Sequence, residues 1–95
     1  MHKNINYSLE KNELLKAQRG IGFEDVILSI LSGGLLDDLS HPNQEKYPHQ
    51  NVFIVLIEIK NYVYIVPYVE DDEKIFLKTI IPSRVMTKRY LKDKR

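Results

Sequence analysis

The chain contains no cysteine. That excludes a disulfide framework and any metal site built on thiolates, and it fits a cytoplasmic protein. Long apolar runs are also missing, since none approaches the ~18 residues that a membrane span needs. The opening residues MHKNINYSLEKN hold no apolar core followed by a small-residue cleavage site, so no secretory signal is expected. Several catalytic signatures are absent too: there is no Walker loop, GxGxxG, HExxH or G-x-S-x-G elbow. Internal repeats and low-complexity stretches are lacking.

What the chain has is enough for one domain. Its 95 residues are 43% apolar and include six tyrosines. A chain of this length hides roughly 60–65% of its unfolded surface, so its core is modest. Charge is unevenly spread. Residues 1–83 carry eight Lys/Arg and twelve Asp/Glu, a balance of −4. Residues 84–95 carry six Lys/Arg and one Asp, a balance of +5. A basic end on an acidic body suits an anionic partner, nucleic acid or an acidic protein; the plainer reading is a solubilising tail.

The strongest patterning lies between Asn51 and Arg84. Three runs rich in β-branched and aromatic residues are separated by Lys60-Asn61 and by the acidic stretch Glu70 to Lys74. This spacing predicts a three-stranded antiparallel meander. Its first run, Val52 to Ile59, is almost wholly apolar, as expected of a central strand or one covered on both faces. Pro67 predicts a bulge or an unpaired position in the second. The third is expected to continue through Ile81.

Upstream, Ser8 to Arg19 predicts a helix capped by Ser8, with Leu14, Leu15 and Ala17 as a partial apolar face and Gly20 and Gly22 as its stop. Phe23, Val26, Ile27, Ile30 and Leu31 mark a second amphipathic helix that ends at Gly33-Gly34, with Glu24 and Asp25 in its first turn. Leu35 to Leu39 reads as a short edge strand whose two aspartates discourage edge-to-edge pairing. Ser40 to Gln50 reads as a loop. After Pro82, Ser83 to Lys92 predicts a closing helix with Ser83 as its N-cap, packed through Val85, Met86, Tyr90 and Arg89. The expected fold is α+β: two N-terminal helices on a four-stranded antiparallel sheet, with a short C-terminal helix.

Candidate chemistry is sparse. The four carboxylates of Glu70 to Glu73 lack the spacing of a calcium loop and read best as a solvated turn. His41 and His49 flank the loop and titrate near neutrality, which suits proton transfer; taken singly, each is more simply an exposed histidine. His2 falls in a terminal segment. The strongest local signal is Lys78, Arg84, Lys88 and Arg89. A guanidinium beside the free N–H groups of a helix start suits phosphate. Tyr7 and Tyr90 offer aromatic faces for a base. The plainer reading has Lys78 lying along the sheet and Arg84 paired with a body carboxylate.

Three blocks of sequence resemble a known family. They are Arg19-Gly20 followed by Phe23-Glu24-Asp25-Val26, Tyr68 followed by Glu70 to Glu73, and Ile80-Ile81-Pro82-Ser83-Arg84 followed by Thr87-Lys88-Arg89-Tyr90. In order and spacing the chain resembles the BrnT-like toxins of bacterial type II toxin–antitoxin systems, whose fold is similar to that of the RelE-like ribonucleases. It departs from their pattern at Thr79, where the family often has a basic residue, and at Val85-Met86, where it usually has a small residue and Lys. The resemblance implies a growth-arresting endoribonuclease without a cofactor, in which a ribose 2′-OH attacks the neighbouring phosphate. It assigns Arg84 to charge stabilisation, with Lys88 or Lys78 assisting. It makes Arg19 an RNA contact and leaves His41, His49 or a tyrosine to move protons. It also implies a cognate DNA-binding antitoxin as partner and leaves open whether the ribosome takes part. The alternative from a different class is a non-catalytic module that holds a DNA-binding protein. A repressor that itself enters a major groove is disfavoured by the acidic second helix.

Overall fold

Each N-terminal helix is begun by a side chain that satisfies a free backbone donor. In the computed structural model, which describes residues 3–40, 43–48 and 50–91, the Ser8 hydroxyl accepts the Lys11 N–H at 3.1 Å and starts α1 (Leu9–Arg19). Gly20, at φ 73°, closes it in the left-handed conformation. The Asp25 carboxylate accepts the Gly22 N–H at 2.8 Å and starts α2 (Phe23–Leu31).

The buried face of α1 is not the expected Leu14, Leu15 and Ala17. Leu15 is buried, but its buried neighbour is Asn12, and Leu14 and Ala17 are exposed. Asn12 is only 2% exposed and is fully used. Its carbonyl oxygen accepts the Phe23 N–H at 2.6 Å, and its amide donates to Glu24 at 2.9 Å. This polar clasp fixes the angle between the two helices. At Gly22 an added Cβ would stand 2.6 Å from oxygens of both Asn12 and Glu24, so a larger residue there would push these side chains out of the clasp.

The sheet is mixed and larger than expected. A strand β1 (Asn4–Tyr7) precedes α1; then come β2 (Leu35–Ser40), β3 (Gln50–Ile57), β4 (Tyr62–Glu70), β5 (Lys74–Leu77) and β6 (Ile81–Pro82). The order is β1-β5-β4-β3-β2, with β6 also paired to β4. β1 lies parallel to β5, and the other pairs are antiparallel. The expected sheet of four antiparallel strands is thus corrected. The β1 pattern is only four residues long, too short to read from alternation, and a parallel partner some 70 residues away leaves no hairpin signal. β2 is an edge strand as expected, with a bulge at Leu36.

Between β3 and β4 a short 3₁₀ turn (Glu58–Lys60) ends at Asn61 in the left-handed region, φ 50°. Ile59, read as part of the first strand, lies in this turn and is 77% exposed.

Both faces of the sheet are covered. Phe53, Val55, Ile57, Tyr64, Val66, Tyr68, Ile75, Leu77 and Ile80 pack with Leu15, Ile21, Phe23 and Val26 of the helical pair. The alternate positions Ile54, Val63, Val52, Leu56 and Ile65 pack with Met86, Tyr90 and Leu91 of α3 (Arg84–Leu91), which crosses the opposite face. The buried side of α3 is therefore Met86, Thr87, Tyr90 and Leu91, while Val85 and Arg89, expected inside, are exposed, Val85 by 65%.

The expected third strand is split. β5 stops at Leu77 and the ladder resumes at Ile81, with the register on β4 displaced by one residue. Pro67 sits opposite the break. It keeps its place in the β3 register facing Val52, and its carbonyl accepts the Lys78 N–H at 2.8 Å. A residue with no N–H is tolerated where its neighbour strand leaves the ladder. Beyond β6 the edge of β4 is sealed by α3. The Val63 N–H donates to the Thr87 hydroxyl at 2.9 Å, and that hydroxyl donates to the Ser83 carbonyl at 2.7 Å.

Thr87→Val keeps the side-chain shape but leaves the Val63 N–H without its acceptor. The expected cost is about 1–3 kcal/mol, read as a lower urea midpoint with an unchanged m-value. An unchanged midpoint would show that α3 does not seal this edge.

Candidate nucleic-acid interface

The first turn of α3 is built by Ser83. Its N–H donates to Val63 O at 3.0 Å, which ties the helix start to the beginning of β4. Its hydroxyl accepts the Met86 N–H at 3.1 Å, and its carbonyl accepts the Thr87 N–H at 3.0 Å. Arg84 is therefore the first helical residue. The N–H groups of Arg84 and Val85 have no acceptor among the described residues. Arg84 and Lys88 lie one turn apart, as do Val85 and Arg89, and all four are exposed. Among the described residues no ion pair involves Arg84, Lys88 or Arg89, so the expected plainer role for Arg84, pairing with a body carboxylate, is not realised.

Helix electrostatics separate these three cations. Lys88 and Arg89 are in the last turn, where the dipole favours positive charge, and their placement has a sufficient structural cause. Arg84 stands at the opposite, positive end, where a cation is disfavoured. Among the described residues no carboxylate pairs with it to offset this. Arg84 is an exposed cation on the same first turn as two N–H groups without acceptors among the described residues, and both kinds of donor suit a phosphate oxygen.

Lys78 is exposed and lies in the break between β5 and β6. In an unbroken strand Lys78 and Thr79 would face opposite ways. Leu77 and Ile80 both enter the same core, three residues apart, so strict alternation does not hold across this segment.

Other expected contacts are not brought to α3. Arg19 ends α1 on the other face of the sheet, where its charge acts on the Tyr64 phenol. Tyr7 packs within that same core, its ring 4.9 Å from Phe23. Tyr90 is on α3, but its ring is half-buried in the second core and its hydroxyl donates to Asp37 at 3.2 Å. Burial first, and Asp37 second, raise its pKa. Tyr7 and Tyr90 thus both serve packing, on opposite faces of the sheet. His41 and His49 lie outside the described residues. The Tyr90–Asp37 bond nonetheless ties α3 to β2, the strand that leads into the loop carrying both.

The acidic stretch Glu70 to Glu73 forms the β4–β5 turn. Asp71 accepts the N–H groups of Glu73 and Lys74 at 2.8 and 2.9 Å, and these two bonds lower its pKa. Glu70 pairs with Lys3 at 2.7 Å. Among the described residues no group of three or more His, Asp or Glu is gathered for a metal ion. Glu24, part of the Phe-Glu block, serves the helical clasp: Lys16 is 3.0 Å away, and chiefly that contact lowers the Glu24 pKa.

One polar pair was not anticipated. The buried Tyr68 hydroxyl donates to Asp38 at 2.5 Å, and its ring stacks on Phe53 with centroids 3.9 Å apart. Two adjacent aspartates in a short apolar strand were the available signal. On β2 they serve opposite faces, Asp38 reaching Tyr68 and Asp37 reaching Tyr90.

No protein-family model, curated protein or solved structure matches the chain. No helix among the described residues is long and apolar enough to cross a membrane.

Burial, then the Asp38 carboxylate, raise the Tyr68 pKa above its ordinary value of 10.0. In the unfolded chain the phenol ionises near that value, while in the folded chain it stays protonated. The stability it contributes is complete below pH 10 and is lost as pH rises from there towards the folded pKa. The urea midpoint of the native chain is therefore expected to fall more steeply between about pH 9 and 11 than that of Tyr68→Phe. Equal slopes would show that Asp38 and burial do not hold the phenol protonated.

Proposed function

We propose that this protein is a growth-inhibiting endoribonuclease of the BrnT-like, RelE-like toxin type, acting in the cytoplasm and restrained by a cognate DNA-binding antitoxin. One observation carries the reading: among the described residues Arg84 is an exposed cation without an ion pair at the positive end of a helix, where two N–H groups also lack acceptors, and it stands one turn from Lys88. Stability gives no reason for it, and phosphate binding does.

In the proposed reaction the ribose 2′-oxygen bonds to phosphorus while the bond to the 5′-oxygen of the next nucleotide breaks. A 2′,3′-cyclic phosphate and a 5′-hydroxyl result. Arg84 and the helix start hold the non-bridging oxygens as their charge grows. Lys88 adds charge one turn on, Arg89 contacts the backbone, and Lys78, exposed in the β5–β6 break, assists. His41 and His49 are the proposed proton carriers: one takes the 2′-OH proton and the other protonates the departing 5′-oxygen. Arg19 and Tyr7, on the opposite face, have no part in this arrangement.

A second reading is favoured by the same stripe with Val85 among its cations. A basic surface with an exposed apolar residue also suits a protein partner, as a non-catalytic module would require.

Induced expression separates the readings. Wild type is expected to arrest growth, and Arg84→Ala is expected to permit it while keeping the native circular dichroism. In purified form, cleavage should persist in chelator and fall about 10²–10³-fold in the variant. Arrest by Arg84→Ala equal to wild type would remove Arg84 from the mechanism. Absence of both toxicity and cleavage in the wild type would favour the binding module.

A further inference from the structure

On the face opposite α3, an open groove of about 170 Å³ runs between α2 and the 3₁₀ turn, lined by Asp25, Leu28, Ile57, Glu58 and Ile59 among others. The apolar side chains around it are unusually bare. Leu28 is 66% exposed, Ile59 is 77% exposed, and Leu31, one helical turn from Leu28, is 75% exposed. Neighbouring exposed apolar residues of this size mark a contact surface more often than isolated ones do.

The polar groups of the groove are largely spent. The Ser29 hydroxyl donates to the Leu56 carbonyl, and the Ser32 hydroxyl donates to the Leu28 carbonyl at 2.7 Å. One Asp25 oxygen holds the Gly22 N–H. The floor therefore selects for apolar atoms. Among the described residues, charge in the groove is of one sign: Asp25 and Glu58 line it, and no Lys or Arg does. Among the described residues Glu58 has no ion pair.

We infer that this groove docks a partner protein through a basic amphipathic helix, its apolar stripe on Leu28 and Ile59 and its Lys/Arg side chains over Asp25 and Glu58. Helix-in-groove recognition uses this combination of an apolar floor and a charged rim. The inference does not rest on the ribonuclease reading. α2 packs on one face of the sheet and α3 on the other, so a partner seated here leaves Arg84 exposed.

The probe is an 18-residue helical peptide of leucine and lysine, with a leucine–glutamate peptide as control, titrated into the full-length ¹⁵N-labelled protein. With the lysine peptide, amide shifts are expected in α2 and at Glu58–Lys60. Binding should weaken at least tenfold in Leu28→Asp/Ile59→Asp and in Glu58→Lys, and stay unchanged in Arg84→Ala. All of these substituted positions are exposed, so the native amide spectrum should persist; Glu58→Lys supplies the test if the double variant does not fold. Equal binding of the glutamate peptide, undiminished binding by Glu58→Lys, or shifts centred on α3 would each overturn the inference. So would a concentration-dependent dimer abolished by Leu28→Asp, which would assign the groove to a second copy of this chain.

Discussion

Strands β3 and β4 pair without interruption from Gln50↔Val69 to Ile57↔Tyr62, and both of their faces are apolar. Everything else answers that constraint. A ribbon greasy on two sides needs a layer on each. α1 and α2 supply one layer through Leu15, Ile21, Phe23 and Val26, and α3 supplies the other through Met86, Tyr90 and Leu91. Tyr68 and Tyr90, on opposite faces, then reach Asp38 and Asp37 of the edge strand β2, so the bulged β2 is fastened to both layers.

Covering the second face requires the chain to pass from the edge of the sheet to above it. Pro67 allows this, because it offers no N–H to the departing strand. The break at residues 78–80 and the brief return as β6 bring Ser83 onto Val63, and Thr87 closes the edge from the helix. Arg84 stands at the start of α3 as a consequence of this geometry. The segment that completes the core is also the one that presents the basic end of the chain, so packing and the proposed phosphate contact share one turn.

Much of this was legible. Both N-terminal helices, the Ser8 and Ser83 caps, the β2 edge and the β3–β4 ribbon follow from local patterning, because caps and alternating burial leave short-range marks. β1 did not show: its ladder is parallel and its partner lies far along the chain. Asn12 did not show either, since a buried amide inside a helical pattern looks like any polar residue until its two partners arrive from α2. Val85 was placed inside by apolar character alone, whereas Thr87, a weaker hydrophobe, is buried because Val63 needs its hydroxyl.

For the candidate site the division runs along the same line. Charge distribution and the Pro-Ser-Arg sequence by themselves marked Arg84 as the start of a basic helix, since both are local properties. Which cations share a surface was decided by the tertiary structure. The sheet stands between Arg84 and the pair Arg19 and Tyr7, and the β5 break releases Lys78 from the alternation that a continuous strand would impose. A face is a property of layers, and layers form only when strands distant in sequence close on one another.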